Sequence, residues 1–489
     1  MPPATYTPRT APYAHQLEAA RRLAARPRGE DVFAYLCEMG TGKSKMVIDE
    51  WGARVAGGDL DSLLVVAPAG VYRGWEVNQV PEHLGAPVAE GTVMAPWVSG
   101  GGNGAMGRLA HVLQTAGRPR IMLCNVEALS SVKKAREACA EFLVGGRAMM
   151  VVDESTFIRS HSAQRTKAVI ALGVRAAARR ICSGLATPRS PLDLYSQFQF
   201  LDWRIIGQRS YYGFRARYAV MQDQWFGGRR VPIVVGYKNL EELQQRIAPW
   251  SYRVLKEDCL DLPAKVYEMR EVALTPEQKR LYAEIRDNAT AALDEMTHVT
   301  ATSAITQILR LHQLLCGVVV DEEGREHEVA EQRTDALVDL LNEHGGKALV
   351  WVPYRRALQK VVARLRREYG ERAVVEFWGD IGGEERLEAD RRFQSDDECR
   401  YSVGTPQAGG LGRTLTAASL CVYYANSWDL EHRVQSEDRA HRAGLDHKVT
   451  YVDLMAPGTV DEKIVHALRK KIDLAAAITG DGWRSWLVD

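Results

Sequence analysis

The stretch Cys37-Glu38-Met39-Gly40-Thr41-Gly42-Lys43-Ser44 decides how the rest of this chain is read. It follows a short apolar run, Val32 to Leu36, and opens a helix-period segment carrying Val47, Ile48 and Trp51. A strand that turns through glycines into a helix start aims several backbone N–H groups at one point, and the helix dipole adds positive potential there. Polyphosphate is the natural ligand of such a turn. Gly40, Thr41 and Gly42 would wrap it, Lys43 would bridge the β and γ phosphates, and the Ser44 hydroxyl would hold a magnesium ion. The usual pattern also has a glycine five positions before the second motif glycine. Here that position is Cys37, so only the GxGKS half is intact, and a glycine turn with a solvated lysine is the competing reading.

A second element bears on that choice. Met149, Met150, Val151 and Val152 end in Asp153 and Glu154, an apolar strand delivering two carboxylates to its C-terminal edge, where ligands of open α/β sheets collect. Asp153 is placed to hold the magnesium through water, and Glu154 to take the proton from an attacking water. Alone, the pair also reads as a strand ending at a solvated turn. Beside the phosphate loop it reads as a magnesium-dependent site for hydrolysing a bound polyphosphate.

Working outward, β-branched or apolar runs alternate with helix-period segments, the rhythm of parallel sheets covered by helices. One set is Leu63 to Ala67, Ile121 to Cys124, Met149 to Asp153 and Arg180 to Ser183. A second is Ala348 to Val352, Val374 to Phe377, Tyr401 to Gly404, Leu420 to Tyr424 and Val449 to Leu454. The runs lack polar alternation because both sheet faces are covered. The fold class is therefore α/β, with two parallel-sheet lobes. The stretch from Trp203 to Arg333, with helix-period pieces such as Leu240 to Ile247 and Glu277 to Ile285, is expected to be helical decoration. The crossing point is expected near Asp261, Leu262 and Pro263, and Gly100 to Gly107 reads as a mobile loop. A helix is expected over Glu462 to Lys471.

Composition sets limits on partners. With 63 basic and 62 acidic residues among 489 the formal charge is +1, so no whole-protein field attracts DNA or membrane, and a polyanion must be gripped by a local groove. Hydrophobic residues at 46% and charged residues at 26% exclude a largely disordered chain. The eight cysteines never fall in a CxxC pair, which argues against a zinc finger or redox motif and for buried thiols. No signal-peptide pattern and no run of 18 apolar residues is seen, so a soluble cytoplasmic protein without membrane contact is expected.

The motifs resemble a known family. GTGKS with VVDEST is similar to the two nucleotide motifs of superfamily two helicases and translocases. QAGGLGRTLTAASLCVYYANSWDLEHRVQSEDRAHRAG, Gln407 to Gly444, narrows the likeness to the Swi/Snf-like branch, and KVTYVDLMAPGTVDEKI continues it. Tyr13, His15 and Gln16 look like the glutamine motif that reads adenine. VVAPAGVYRGW at 65–75 resembles motif Ia, LCNVEAL at 123–129 the next strand motif, and CSGLATPRSPLDLYSQFQFLD at 182–202 motif three. LTPEQKRLY at 274–282 resembles the post-hinge segment, and LVWVPYRRALQKVVARL at 349–365 motif four.

The resemblance implies that the polyphosphate is ATP, with Mg2+ as the second cofactor. It also implies two RecA-like P-loop lobes: residues 1–204 as the ATP-binding lobe, 205–262 as a helical insertion and hinge approach, 263–333 as a post-hinge helical insertion, and 334–489 as the helicase C-terminal lobe. With no added reader, nuclease or finger domain in view, the chain looks like the compact motors of bacteriophages and bacteria, at work in the cytoplasm of a bacterial or phage-infected cell. Motif three departs from the family pattern: a gapless alignment puts Ser183, Gly184, Leu185 and Ala186 where threonine-glycine-threonine-proline is usual, and Thr187 and Pro188 restore it only with a shift. Motif two ends DEST in place of DEAH, which removes a histidine beside Ser155 and Thr156.

Charge spreading over the transferring phosphoryl group asks for further cations. Arg439 and Arg442 are three apart, so on a helix they share a face, and Gln435 lies one turn earlier. The resemblance makes these two arginine fingers and a phosphate sensor of a composite site; an arginine-rich solvated helix is the alternative. It also implies DNA-backbone contacts from Pro68, Arg73, Trp75 and Asn125, and from Thr405, Gly410, Arg413 and Trp428, of which the tryptophans also suit packing. Arg209, Tyr211, Tyr212, Phe214, Arg215, Arg217 and Tyr218 read as a packing helix first. The function expected is an ATP-dependent motor on double-stranded DNA, forked or branched, with protein partners unassigned. The alternatives are a strand-separating DNA or RNA helicase and a nucleotide-switched regulatory module.

Overall fold

The computed structural model describes residues 6–144, 146–226, 229–294, 301–321, 323–379, 383–409, 414–442 and 444–479. The chain divides into two compact units, chiefly the residues through Val220 with Gly236–Leu260, and chiefly Asp261–Asp473.

The first unit is built on a sheet of β1 (Val32–Tyr35), β2 (Ser62–Ala67), β3 (Val93–Pro96), β4 (Arg120–Asn125), β5 (Ala148–Val152) and β6 (Ala178–Cys182). A ribbon of β7 (Ala219–Phe226) and β8 (Arg229–Tyr237) follows in sequence, its Met221–Val235 portion grouped with the second unit, and then β9 (Ser251–Tyr252) closes the sheet edge of the first. The order is β3-β4-β2-β5-β6-β1-β9, every recorded pairing parallel. β1, β2 and β5 are buried at every position because helices cover both faces. Phe33, Tyr35, Leu63, Val65, Ile121, Met149 and Val151 pack with Val47 and Trp51 of the helix Lys43–Ala56 in one core.

The second unit holds β10 (Lys265–Glu271), an antiparallel pair β11 (Val318–Val320) and β12 (Glu326–Glu328), and then β13 (Ala348–Trp351), β14 (Val374–Phe377), β15 (Tyr401–Gly404), β16 (Leu420–Tyr423) and β17 (Val449–Met455). Its parallel sheet runs β10-β17-β16-β13-β15-β14. The period of two shows in β13: Ala348 and Val350 enter one core with Val361 and Leu365, while Leu349 and Trp351 enter another with Phe393 and Tyr451. Each fully buried aliphatic side chain here contributes about 1.5–3 kcal/mol, so a charge at Val350 would break the sheet's centre.

Three expectations need correction. The segments 205–262 and 263–333 are not purely helical. They contain the β7–β8 ribbon, β9, β10 and the β11–β12 pair, besides helices such as Leu240–Ile247 and Pro276–Asp294. β10 reads Lys-Val-Tyr-Glu-Met-Arg-Glu, half-polar because it is an edge strand, which hides it from a search for apolar runs. Gly100 to Gly107 is not all loop, because the helix Asn103–Gln114 starts inside it. The final helix runs Val460–Thr479, longer than expected. Among the described residues no helix is long and apolar enough to cross a membrane, and all cysteines except the half-buried Cys259 are buried.

Candidate active site

Strand register sets the site. Tyr35 of β1 pairs with Cys182 of β6, and Ile181 of β6 pairs with Val152 of β5, so three adjacent strands end at one level. The phosphate loop leaves β1, and Asp153 and Glu154 leave β5, two strands away, or about 10 Å at the usual strand spacing. On the far side of β5, the Asp153 N–H donates to the Val66 carbonyl of β2, and Ala67 pairs with Asn125 of β4. Asn125, Pro68, Asp153, Ser183 and the phosphate loop therefore line a single carboxyl edge.

The loop geometry explains its glycines. Gly40 and Gly42 have φ of 80° and 83°, a region strained for residues with a Cβ. A Cβ on Gly42 would also lie 2.3 Å from Gln16 Nε2. Gln16 is buried against the loop, its amide donating to the Thr41 carbonyl at 3.3 Å and its carbonyl accepting from the Tyr13 N–H at 3.0 Å, while His15 Nε2 lies 2.8 Å from the same Thr41 carbonyl. Gln16 thus braces the phosphate loop, and its carboxamide has capacity for one further bond at each end, the pair an adenine edge requires. Lys43, 9% exposed, donates to the Cys37 and Glu38 carbonyls at 3.0 and 3.1 Å, which holds the ammonium over the loop. Ser44 is half-buried in the first turn of the helix. Cys37, at the missing glycine's position, is wholly buried, and burial pushes its thiol up to about 12, so it is a packing residue.

Asp153 is buried and held from both sides. Trp75 Nε1 donates to Oδ2 at 2.9 Å and the Glu154 N–H donates to Oδ1 at 3.0 Å. Burial raises its pKa, against the Trp75 donor, the nearby Lys43 charge and the Glu154 N–H. Beneath, Cys182 is held well above its ordinary pKa by burial, and it also feels the charges of Asp153, Lys43 and Glu154, so these side chains converge. Glu154 sits at φ 48°, ψ 60°, a left-handed conformation uncommon for a residue with a Cβ and of the kind that clusters at functional sites. The donor set of one carboxylate and one hydroxyl suits a hard divalent cation: Asp153 and Ser44 would hold Mg2+, which supplies charge neutralisation at the phosphates.

The departures from the family pattern are structural ties. Ser155, fully buried, donates to Gln197 Oε1 at 2.6 Å, and Gln197 Nε2 donates to the Ala186 carbonyl at 2.8 Å. Motif two is thereby joined to motif three without the histidine. A Cβ on Gly184 would lie 2.6 Å from Met39 Cγ, and Arg253 donates to the Leu36 and Gly184 carbonyls, so the motif three turn lies against the phosphate loop. Gln197, Arg253 and the Trp75–Asp153 bond went unread in the sequence. Gln197 alone gave a signal, as a polar residue inside the apolar helix Leu194–Leu201.

Of the track candidates in this unit, Pro68 is buried and its carbonyl accepts from Val71 and Tyr72 N–H, while Arg73 is exposed and paired with Glu76 at 3.0 Å. Asn125 Oδ1 accepts from the Ala128 N–H at 2.7 Å, which caps a short helix. Trp75 is 1% exposed and packs in the core, so it is not a DNA contact.

In the second unit, the expected shared helix face is corrected. The helix Leu430–Glu437 ends before Arg439, and only Gln435 lies on it. Gln435 is buried and donates to Glu431 at 3.4 Å. Arg439 is buried, its Nε donating to the Gln435 carbonyl at 3.0 Å. Arg442 is 27% exposed and donates to Thr414 Oγ1 at 3.1 Å and Asp438 Oδ2 at 3.3 Å. Thr405 Oγ1 accepts from the Ala408 N–H at 3.2 Å, and Trp428 is 40% exposed. Gly410 and Arg413 lie outside the described residues.

Fold and site define a P-loop ATP hydrolase with two parallel-sheet units. The SNF2-related domain family matches residues 15–318 and the helicase conserved C-terminal domain matches residues 332–444. The chain belongs to the SNF2-related family of helicase-type ATPases. It is similar to the mouse DNA annealing helicase and endonuclease ZRANB3, 28% identical over 339 residues, covering 68% of this chain and 30% of that protein. It is also similar to the putative ATP-dependent helicase/translocase YwqA of Bacillus subtilis, 25% identical over 300 residues, 59% of this chain and 31% of that protein. The Sulfolobus solfataricus SWI2/SNF2 ATPase core in complex with dsDNA overlays loosely, with TM-score 0.41 and 20% identity over 98% of this chain and 96% of that one, so the fold rests on the strand order above. The chain spans about a third of the length of these curated relatives.

Proposed function

We propose that this chain is an ATP-driven motor that moves along double-stranded DNA, forked or branched DNA included. The observation that carries the reading is the shared carboxyl edge, on which β5 with Asp153 and Glu154 pairs with β2, which leads to Pro68, and β2 in turn pairs with β4, which ends in Asn125. A nucleotide site and a set of backbone-contact candidates on neighbouring strands can exchange small displacements through a packed sheet.

In this reading Lys43 would grip the β and γ phosphates, the loop N–H groups would complete the cradle, and Ser44 and Asp153 would hold Mg2+. Glu154 orients the attacking water and accepts its proton, and its strained backbone fixes the carboxylate. Arg439 and Arg442 supply positive charge to the γ phosphate in the reacting state, and Gln435 senses it. Pro68, Arg73 and Asn125 with Thr405, Gly410, Arg413 and Trp428 follow the DNA backbone, which gives grip without sequence preference.

The test is displacement of a third strand from a triplex, paired with release of a labelled strand from an ordinary duplex. The motor reading expects ATP-dependent triplex displacement without duplex unwinding. Strand release from the plain duplex would make it a strand-separating helicase. Turnover with neither movement would make it a nucleotide switch.

A further inference from the structure

The Asp153 carboxylate has an unexpected partner. Trp75 lies on the chain that follows β2, where a helical turn Tyr72–Gly74, a π-helical turn Trp75–Gln79 and a further turn Val80–His83 run on continuously. Wider turns of this kind insert a residue, re-aim the side chains around them and recur at functional positions. Here the Val80 N–H donates to the Trp75 carbonyl five residues back, and the indole is driven into the core with 1% exposure. A buried indole needs an acceptor, and an uncharged carbonyl would meet that need. This one instead donates to the carboxylate that ends β5, at 2.9 Å.

The other end of the same turn carries exposed groups. Arg73, two residues before Trp75, is 47% exposed, and the Pro68 carbonyl anchors the turn through the Val71 and Tyr72 N–H groups. Glu127, from the strand motif after β4, accepts from the Ala69 N–H at 3.1 Å, tying this turn to the Asn125 turn. The Pro68–Arg73 turn and Asp153 are therefore joined by a rigid planar side chain with one hydrogen bond at its tip. With Oδ1 held by the Glu154 N–H, a shift of the indole would rotate or release the carboxylate as a unit.

We propose that Trp75 is a positioning residue that couples DNA contact at the Pro68–Arg73 turn to the metal-holding carboxylate of Asp153. This rests on the motor reading above. It assigns to one side chain the signal by which DNA occupancy changes the affinity of the site for magnesium-nucleotide. Partners behind a metal-holding group typically alter metal affinity 10- to 100-fold when removed. Coupling between two ligands is reciprocal, so the same factor must appear in both binding equilibria.

The test is a binding cycle and needs no turnover. A fluorescent, slowly hydrolysed ATP analogue is titrated in Mg2+ with and without a short duplex, and the duplex is titrated with and without the magnesium-nucleotide, for the wild type and for Trp75→Phe. Phenylalanine keeps a buried ring and deletes the N–H. The wild type is expected to show a coupling factor of roughly tenfold, equal in both directions. Trp75→Phe should bring the factor to within about twofold of one and raise the half-saturating Mg2+ concentration about tenfold. A folded Trp75→Phe protein that retains the wild-type factor overturns the proposal. So does a wild-type protein that binds both ligands with no coupling, a result that needs no variant to fold. A wild type that does not bind duplex at all refutes the motor reading itself, and is distinguished by the duplex titration alone.

Discussion

The two units carry similar parallel sheets, but the carboxyl edge of the first and the interior of the second treat their buried charges in opposite ways; elsewhere in the first unit Arg180 is clamped by Asp31 and Glu50 just as in the second. In the first, the carboxyl edge keeps charges in reserve for a ligand. Among the described residues, Asp153 is buried near Lys43 and accepts from the neutral N–H groups of Trp75 and Glu154, and Glu154 is held in a strained backbone. In the second, buried charges are spent on the fold. Arg433 is clamped by Glu437 and Asp453 and lies 3.5 Å over the Tyr423 ring, and Arg333 is paired with Asp461 behind His312. Arg442 differs from Arg433 within one short segment, being partly exposed and held by longer contacts. A paired buried charge is costly to break, whereas one left poised for a ligand can act.

That contrast breaks most visibly at Lys43 and Glu154. Lys43→Ala or Glu154→Gln should lower steady-state ATP turnover on the order of 10⁴-fold, about 5.5 kcal/mol of barrier, with the thermal midpoint nearly unmoved. Residual turnover within tenfold of wild type would remove the catalytic assignment. Next, Arg442→Ala should cut turnover about 10³-fold while nucleotide binding, followed by fluorescence, stays within a few-fold. Equal losses in both would mark Arg442 as a plain binding residue.

Arg433→Ala should act on stability. Removing one partner of a buried pair costs about 3–5 kcal/mol, read in denaturant unfolding of the second unit, and a cost below about 1 kcal/mol would contradict the division of roles. His312 supplies a pH test of the same unit. Burial lowers its pKa from 6.5 to about 4, with Asp461 opposing and Arg333 adding. Its ring also meets the Tyr354 hydroxyl at 2.6 Å. The folded state therefore binds this proton less readily than the unfolded state. Stability contributed by neutral His312 is complete above the unfolded pKa and falls as pH drops from 6.5 towards 4, by roughly 3 kcal/mol in all. His312→Gln should flatten that part of the stability curve, and an unchanged slope would show that another group titrates. The smallest effect is expected for Ser155→Ala, about 1–2 kcal/mol from unpairing Gln197, with a modest loss of turnover if the tie to motif three transmits force.

Why some of this was legible in the sequence follows from the same physics. Phosphate binding by a loop demands glycines at positive φ and a lysine at a fixed offset, so Gly40, Gly42 and Lys43 announce themselves locally. The strands β1, β2, β5 and β13 are buried on both faces and read as plain apolar runs. β10 and the β7–β8 ribbon did not, because edge and two-stranded elements carry mixed residues and depend on partners distant in sequence. The Trp75 indole meeting Asp153 spans 78 positions, and no local spacing encodes it. The separation of Arg439 and Arg442 predicts a common helix, but the helix ends at Glu437, where Asp438 begins the turn.

If the proposed function holds, the carboxyl edge of the first sheet hydrolyses ATP in response to duplex DNA. The most direct measurement is steady-state phosphate release at low salt with no nucleic acid, with closed duplex DNA, with single-stranded DNA and with RNA. Duplex is expected to stimulate release about tenfold or more, above single strands or RNA, and the stimulation should disappear in Lys43→Ala. A wild-type rate that is the same in all four conditions would contradict the proposed function.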